Sequence, residues 1–308
     1  MQSLVKTIII LLFTVIVIPV VSFYFDEPLN DLQKQTLTQL AYMALAAALL
    51  CFTVSTATGN CSQVDKLWSV LPIIYVWYMA YKGNFDARLN LMAILATIWG
   101  ARLTYNFSRR GAYSWKFWSG EEDYRWAVLR ENPALKGKVK WTLFNLFFIS
   151  LYQNALILAF TLPMLILFKS PGAAISTGEI VLAILFLLFV VMETVADQQQ
   201  WNYQNKKHAL LKEGKKLEGE YALGFVHTGL WAKVRHPNYA AEQSIWIVFY
   251  LFGVLASGQI INWSMAGCLL LLILFQGSSD FSEGISATKY PAYKDYQKRV
   301  GRFFPKLF

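Results

Sequence analysis

The octet Arg235-His236-Pro237-Asn238-Tyr239-Ala240-Ala241-Glu242 gathers a guanidinium, an imidazole, an amide, a phenol and a carboxylate around a helix start. Proline disfavours helix at the residue before it, so His236 is expected to be extended. Pro237 suits the first helical position. The free N–H groups and positive dipole end of such a helix attract anions. Arg235, just outside, offers a fork that matches phosphate or carboxylate. Asn238 and Glu242 stand four residues apart and share a face, so together they present an amide and a carboxylate to a polar ligand.

Other ionisable groups lie in or beside apolar runs, where each costs roughly 2.5–3.5 kcal/mol on insertion scales. Asp65, in Ser62-Gln63-Val64-Asp65, reads either as part of a helix cap with Ser62 or as a carboxyl group at a cavity mouth. Arg102, in Trp99-Gly100-Ala101-Arg102, either snorkels to the interface or meets an anion. Glu193 and Asp197 are four apart on one helical face, where like charges repel unless a cation or a hydroxyl-rich ligand relieves them. The plain alternative is a wet helix end.

The elements that carry these residues are long and apolar. Of 308 residues, 56% are hydrophobic and only 15% charged, against about 25% charged in soluble domains. Eight spans are expected, near 4–24, 37–57, 67–82, 88–107, 141–168, 177–199, 241–256 and 261–279. The first has the make-up of a signal peptide but runs into Phe23-Tyr24-Phe25 with no cleavage site, and reads as retained. Placing the N-terminus inside puts eight Lys and Arg in 108–140, seven in 201–240 and six in 280–308 on the cytoplasmic side; with Lys6 and Lys66 that is 23, against 4 outside. The bias orients both termini to the cytoplasm. The expected fold is an all-α polytopic transmembrane bundle of seven or eight spans, a single domain over 1–308. The net charge of +9 lies in loops rather than in a basic stripe, so nucleic acid is not an expected partner; the lipid bilayer and an apolar small molecule are. Cys51, Cys61 and Cys268 have no metal-ligand spacing, and no metal site is expected.

Gly229-Leu230-Trp231-Ala232-Lys233-Val234 followed by the octet resembles the signature of the steroid 5α-reductase C-terminal superfamily, and more narrowly its bacterial integral-membrane branch. Ser62-x-x-Asp65-x-x-Trp68, Trp99-Gly100-x-Arg102-Leu103, Glu122-Asp123-x-Arg125-Trp126, Ala196-Asp197-x-Gln199 and Lys289-Tyr290-Pro291-x-Tyr293-x-x-Tyr296 fit the same branch, so the likeness runs from about residue 55 to 308. It implies a membrane oxidoreductase. The few cysteines and compact helical chain suit a bacterial inner membrane, with an internal eukaryotic membrane as the alternative. The reaction would be NADPH-dependent reduction of an activated C=C bond in a steroid- or isoprenoid-like lipid. By position, Asn238 and Glu242 would contact the nicotinamide end, with His236 and Tyr239 beside them. Glu193 and Asp197 match ligand-contacting positions, and Arg102 and Arg235 would meet the diphosphate or adenosine phosphate. Arg125, Tyr293 and Arg299 are further cofactor candidates. The substrate carbonyl needs an acid held neutral by burial, for which Asp65 and Tyr105 are the candidates.

Two other classes fit parts of the pattern. Isoprenylcysteine and phospholipid methyltransferases share Arg-His-Pro-x-Tyr and bind S-adenosylmethionine, but their paired late glutamates are missing here, where Gly284 follows Glu283. A non-enzymatic lipid-binding protein on the same scaffold is the third reading.

Overall fold

A computed structural model describes residues 17, 20, 24 and 26–306, and no β-strand occurs among them. The first expected span therefore falls almost wholly outside the described residues. The other seven coincide with helices. In chain order the main elements are α1 (Asp31–Thr58), α2 (Gln63–Leu67), α3 (Leu71–Lys82), α4 (Ala87–Ser108), α5 (Tyr124–Arg130), α6 (Lys138–Lys169), α7 (Thr177–Lys212), α8 (Pro237–Ser257), α9 (Met265–Lys289) and α10 (Tyr293–Arg299). Five of them, α1, α6, α7, α8 and α9, are long and apolar enough to cross a bilayer. The 12 residues of α3 reach only about 18 Å, short of a ~30 Å core.

Local sequence explains the helix ends. Asn30 accepts from the N–H of Gln33 at 2.8 Å, and Gln33 Oε1 accepts from the N–H of Asn30 at 2.9 Å, a reciprocal cap that starts α1. Gly59 ends the helix at φ +74°, its N–H returning to the carbonyl of Ser55. Pro237 opens α8, as expected from the sequence. α6 is not uniform: residues 145–152 widen into π-helical turns, and it breaks again before Pro163. The widened stretch carries buried Asn145 and Ser150. Asn145 Nδ2 donates to Ser55 Oγ of α1 at 2.8 Å, so polar pairing with a neighbour accompanies the change of pitch.

The chain divides into two compact units, residues 1–183 with 249–270, and residues 184–248 with 271–308. The divisions fall inside α7, α8 and α9. In the first unit, helices approach closely where side chains are small. A Cβ on Gly267 would lie 2.2 Å from the Ala159 carbonyl, and one on Gly100 2.6 Å from the Ser69 carbonyl. Arg88 donates from Nε to Glu179 at 2.5 Å, joining the starts of α4 and α7 through a buried ion pair. The second unit packs α7 from residue 184, the first part of α8, the later part of α9, α10 and the segments 213–236 and 300–306. Phe225 lies at its centre with Tyr290, Tyr293 and Tyr296 at 5.7, 5.0 and 5.2 Å between ring centroids. The triplet spacing of those tyrosines therefore serves packing on one phenylalanine.

Candidate functional site

In the second unit the octet is held from three sides. Arg235 Nε donates to Glu283 Oε1 at 2.6 Å and Nη2 to Oε2 at 3.2 Å, while Nη1 donates to the carbonyls of Gln297 and Val300. His236 Nε2 lies 2.9 Å from the same Oε1, and Gln297 donates to Oε2 at 2.7 Å. The backbone is tied as well: Arg235 N–H donates to Gly301 and His236 N–H to Arg302, across a single parallel bridge between Val234 and Gly301. His236 stands just outside the helix, its N–H bound to the Arg302 carbonyl and Pro237 following it. Tyr239 stacks on the His236 ring at 5.3 Å and meets Phe275 edge-on at 4.9 Å.

The same unit explains why Ala196-Asp197-x-Gln199 accompanies Gly229-Leu230-Trp231. Trp231 Nε1 donates to the Ala196 carbonyl at 3.1 Å, and the Leu230 N–H donates to Gln199 Oε1 at 3.0 Å. Gly229 lies at φ +61°, and any Cβ there would fall 2.6 Å from the Gln199 amide. Asn238 Nδ2 then donates to Asp197 Oδ1 at 3.1 Å. This bond joins α7 to α8; Glu193 stands one turn before Asp197 on α7, and Glu242 one turn after Asn238 on α8. Glu193, Asp197 and Glu242 are 5%, 4% and 4% exposed. Glu242 accepts from Trp246 Nε1 at 3.0 Å within its own helix. Tyr293 is buried in the Phe225 cluster, and Arg299 is exposed on α10.

The first unit couples two other motifs. Asp123 N–H donates to Ser62 Oγ at 2.9 Å, Cys61 N–H to Glu122 Oε1 at 2.6 Å, and Trp126 Nε1 to Asp65 Oδ2 at 2.9 Å. Ser62 makes no side-chain bond to the backbone at the start of α2; its hydroxyl accepts from the Asp123 N–H and also stands beside the Asp65 carboxyl. Arg125 is bidentate to Asp123 at 2.8 and 3.0 Å. Arg130 clamps Glu122 with both terminal nitrogens and reaches the Gly59 carbonyl. Burial pushes the Asp65 carboxyl above its usual range, against the charge of Arg125. Burial alone would also raise Asp123, but the Arg125 charge and its hydrogen bonds win and hold it low. Arg102 is half-buried on α4. Tyr105 is 66% exposed, with Arg109 5.8 Å over its ring. The sequence reading passed over Tyr75, which is fully buried with a hydroxyl that has no partner among the described residues, as has Asn154 Oδ1. Both lie in apolar runs without a charge, so periodicity reads them as core.

Over residues 51–300 the chain matches the family described as "Protein of unknown function (DUF1295)". The chain belongs to that family. An "Uncharacterized protein C594.04c" of Schizosaccharomyces pombe is 39% identical over 265 residues, covering 82% of this chain and 75% of the yeast protein. No solved structure matches.

Proposed function

We propose that this member of the family is a membrane reductase that binds NADPH and saturates an activated double bond in a lipid. The observation that carries the reading is the Asn238–Asp197 bond, which brings two polar pairs from separate helices together at the start of α8. A half-buried amide with nearby carboxylates fits a carboxamide and ribose hydroxyls, which both donate and accept. NADPH, when bound, supplies a hydride. Asn238 and Asp197 would orient its carboxamide end, and Glu242 would hold a hydroxyl or amide donor. Arg235 and His236, already engaged by Glu283, are positioning residues in this reading: they fix the entry of α8 and leave the phosphates to exposed cations such as Arg299. For the carbonyl acid, Asp65 has the burial that favours its neutral form, whereas Tyr105 is exposed. Both termini in the cytoplasm, with seven or eight spans, complete the reading.

The carboxylate-rich set also favours a second reading. Three buried acids suit the cationic amine and sulfonium of S-adenosylmethionine, and the site would then be a methyltransferase. Thermal stabilisation of the purified protein, measured with each nucleotide, separates the two. Stabilisation by NADPH is expected. Asn238→Leu combined with Glu242→Gln is expected to weaken NADPH about 100-fold, roughly two lost hydrogen bonds to a charged or desolvated site. Unchanged NADPH affinity in that double variant, or stabilisation by S-adenosylmethionine alone, would overturn the reductase.

A further inference from the structure

The first unit contains a cavity of about 200 Å³ that the reductase reading does not use. Its walls are apolar: Leu50 and Val54 from α1, Leu67 and Val70 around α2, and Phe117. One charged side chain lines it, Lys66, which is 7% exposed. Lys66 Nζ donates to the carbonyls of Ser119 at 2.6 Å and Phe117 at 3.0 Å, and to Gln63 Oε1 at 3.3 Å. All three partners are neutral; among the described residues the Asp65 carboxyl acts on the ammonium through space but makes no ion-pair contact with it, and the cavity beside it is mostly apolar, with Gln63, Tyr113 and Ser114 as its polar neighbours. Such a charge is costly until an anion reaches it. The longest of its bonds, to Gln63, is the one an anion would replace.

The loop that supplies Phe117 to the wall indicates where that anion comes from. Trp115, Phe117 and Trp118 are 106%, 61% and 44% exposed, with Lys116 among them. Exposed tryptophans interleaved with lysine settle at the headgroup level of a bilayer. Leu50, on the wall, is 52% exposed, so the cavity is open along an apolar helix face. A volume of about 200 Å³ suits part of one acyl chain rather than a whole lipid. We propose that this cavity takes one acyl chain of an anionic phospholipid from the leaflet, with the lipid phosphate paired to Lys66. The proposal rests on none of the nicotinamide assignments.

The test uses full-length protein reconstituted into phosphatidylcholine vesicles containing a minority of phosphatidylglycerol, re-extracted, with retained lipid quantified by mass spectrometry. Enrichment of phosphatidylglycerol is expected. Lys66→Gln is expected to lower it about tenfold, and Lys66→Arg to keep it. Val54→Trp fills the cavity without touching the cation and is expected to remove the retained lipid, and it decides the matter if Lys66→Gln does not fold. Equal retention of both lipids, or full retention of phosphatidylglycerol in Val54→Trp, would overturn the proposal. Two further arms use oleate and inorganic phosphate. Oleate retained in place of phosphatidylglycerol overturns the phospholipid assignment. Protection of the wild type and of Val54→Trp alike by inorganic phosphate alone assigns Lys66 to a free anion, and overturns the chain.

Discussion

Single carboxylates decide much of this chemistry, and they decide it in different directions. Glu283 takes four donors, from Arg235, His236 and Gln297, and the Arg302 guanidinium stands 3.8 Å away. Replacing it with alanine leaves a buried arginine without its partner, so Glu283→Ala should cost about 3–5 kcal/mol. A drop in apparent melting temperature of purified protein would show this, and a melting curve like the wild type would refute it. Arg235→Lys should also destabilise, because an ammonium cannot match the two carboxylate oxygens and two carbonyls together. Asp65 and Asp123 give opposite pH signatures. The raised Asp65 favours its neutral form in the fold, so its contribution is present at low pH and lost as pH rises through the raised value. Asp65→Asn should therefore melt like the wild type in acid and above it toward neutrality. The lowered Asp123 contributes above its ordinary value and loses that contribution as pH falls. Asp123→Asn should be the weaker protein near neutral pH, with the gap closing in acid. Melting curves across that range, with both gaps constant, would refute the two assignments.

Among the helices, the apolar runs were readable from residue type and length. α1, α6, α7, α8 and α9 follow from hydrophobic stretches that only a helix can carry through a bilayer. The start of α8 followed from Pro237 alone. The site was legible in part: the octet and the acidic pair on α7 were visible as residues out of place, and the 3.1 Å bond between Asn238 and Asp197 joins them. What could not be read was which partner each group would choose. Nothing in the order of residues says that Arg235 closes on Glu283, 48 positions later, or that the Ser62 hydroxyl takes the Asp123 N–H. Nor do buried Tyr75 and Asn154 differ in pattern from packing residues. Close helix contact gives a further test. Gly267→Ala places a methyl 2.2 Å from the Ala159 carbonyl, a backbone atom that cannot rotate away. It should cost about 1–3 kcal/mol, read as a lower melting temperature, whereas Gly277→Ala, with nothing near its Cβ, should be silent.

For the whole molecule, the charge asymmetry is the widest claim, and the cysteines make it testable. Cys51, Cys61 and Cys268 are all buried, so native thiols give little background to a membrane-impermeant maleimide. Lys215→Cys should be protected in intact cells and labelled after permeabilisation, while Ala173→Cys should label at once; the reverse pattern would invert the orientation. Gly229 carries a consequence of another kind. Its backbone needs φ +61° and its missing side chain leaves room for the Gln199 amide, so two positions thirty residues apart are bound to one inheritance. A side chain at position 229 would push the Gln199 amide aside and cost the Leu230 N–H its acceptor, at a φ that favours glycine. The pair is therefore expected to change together wherever relatives have diverged.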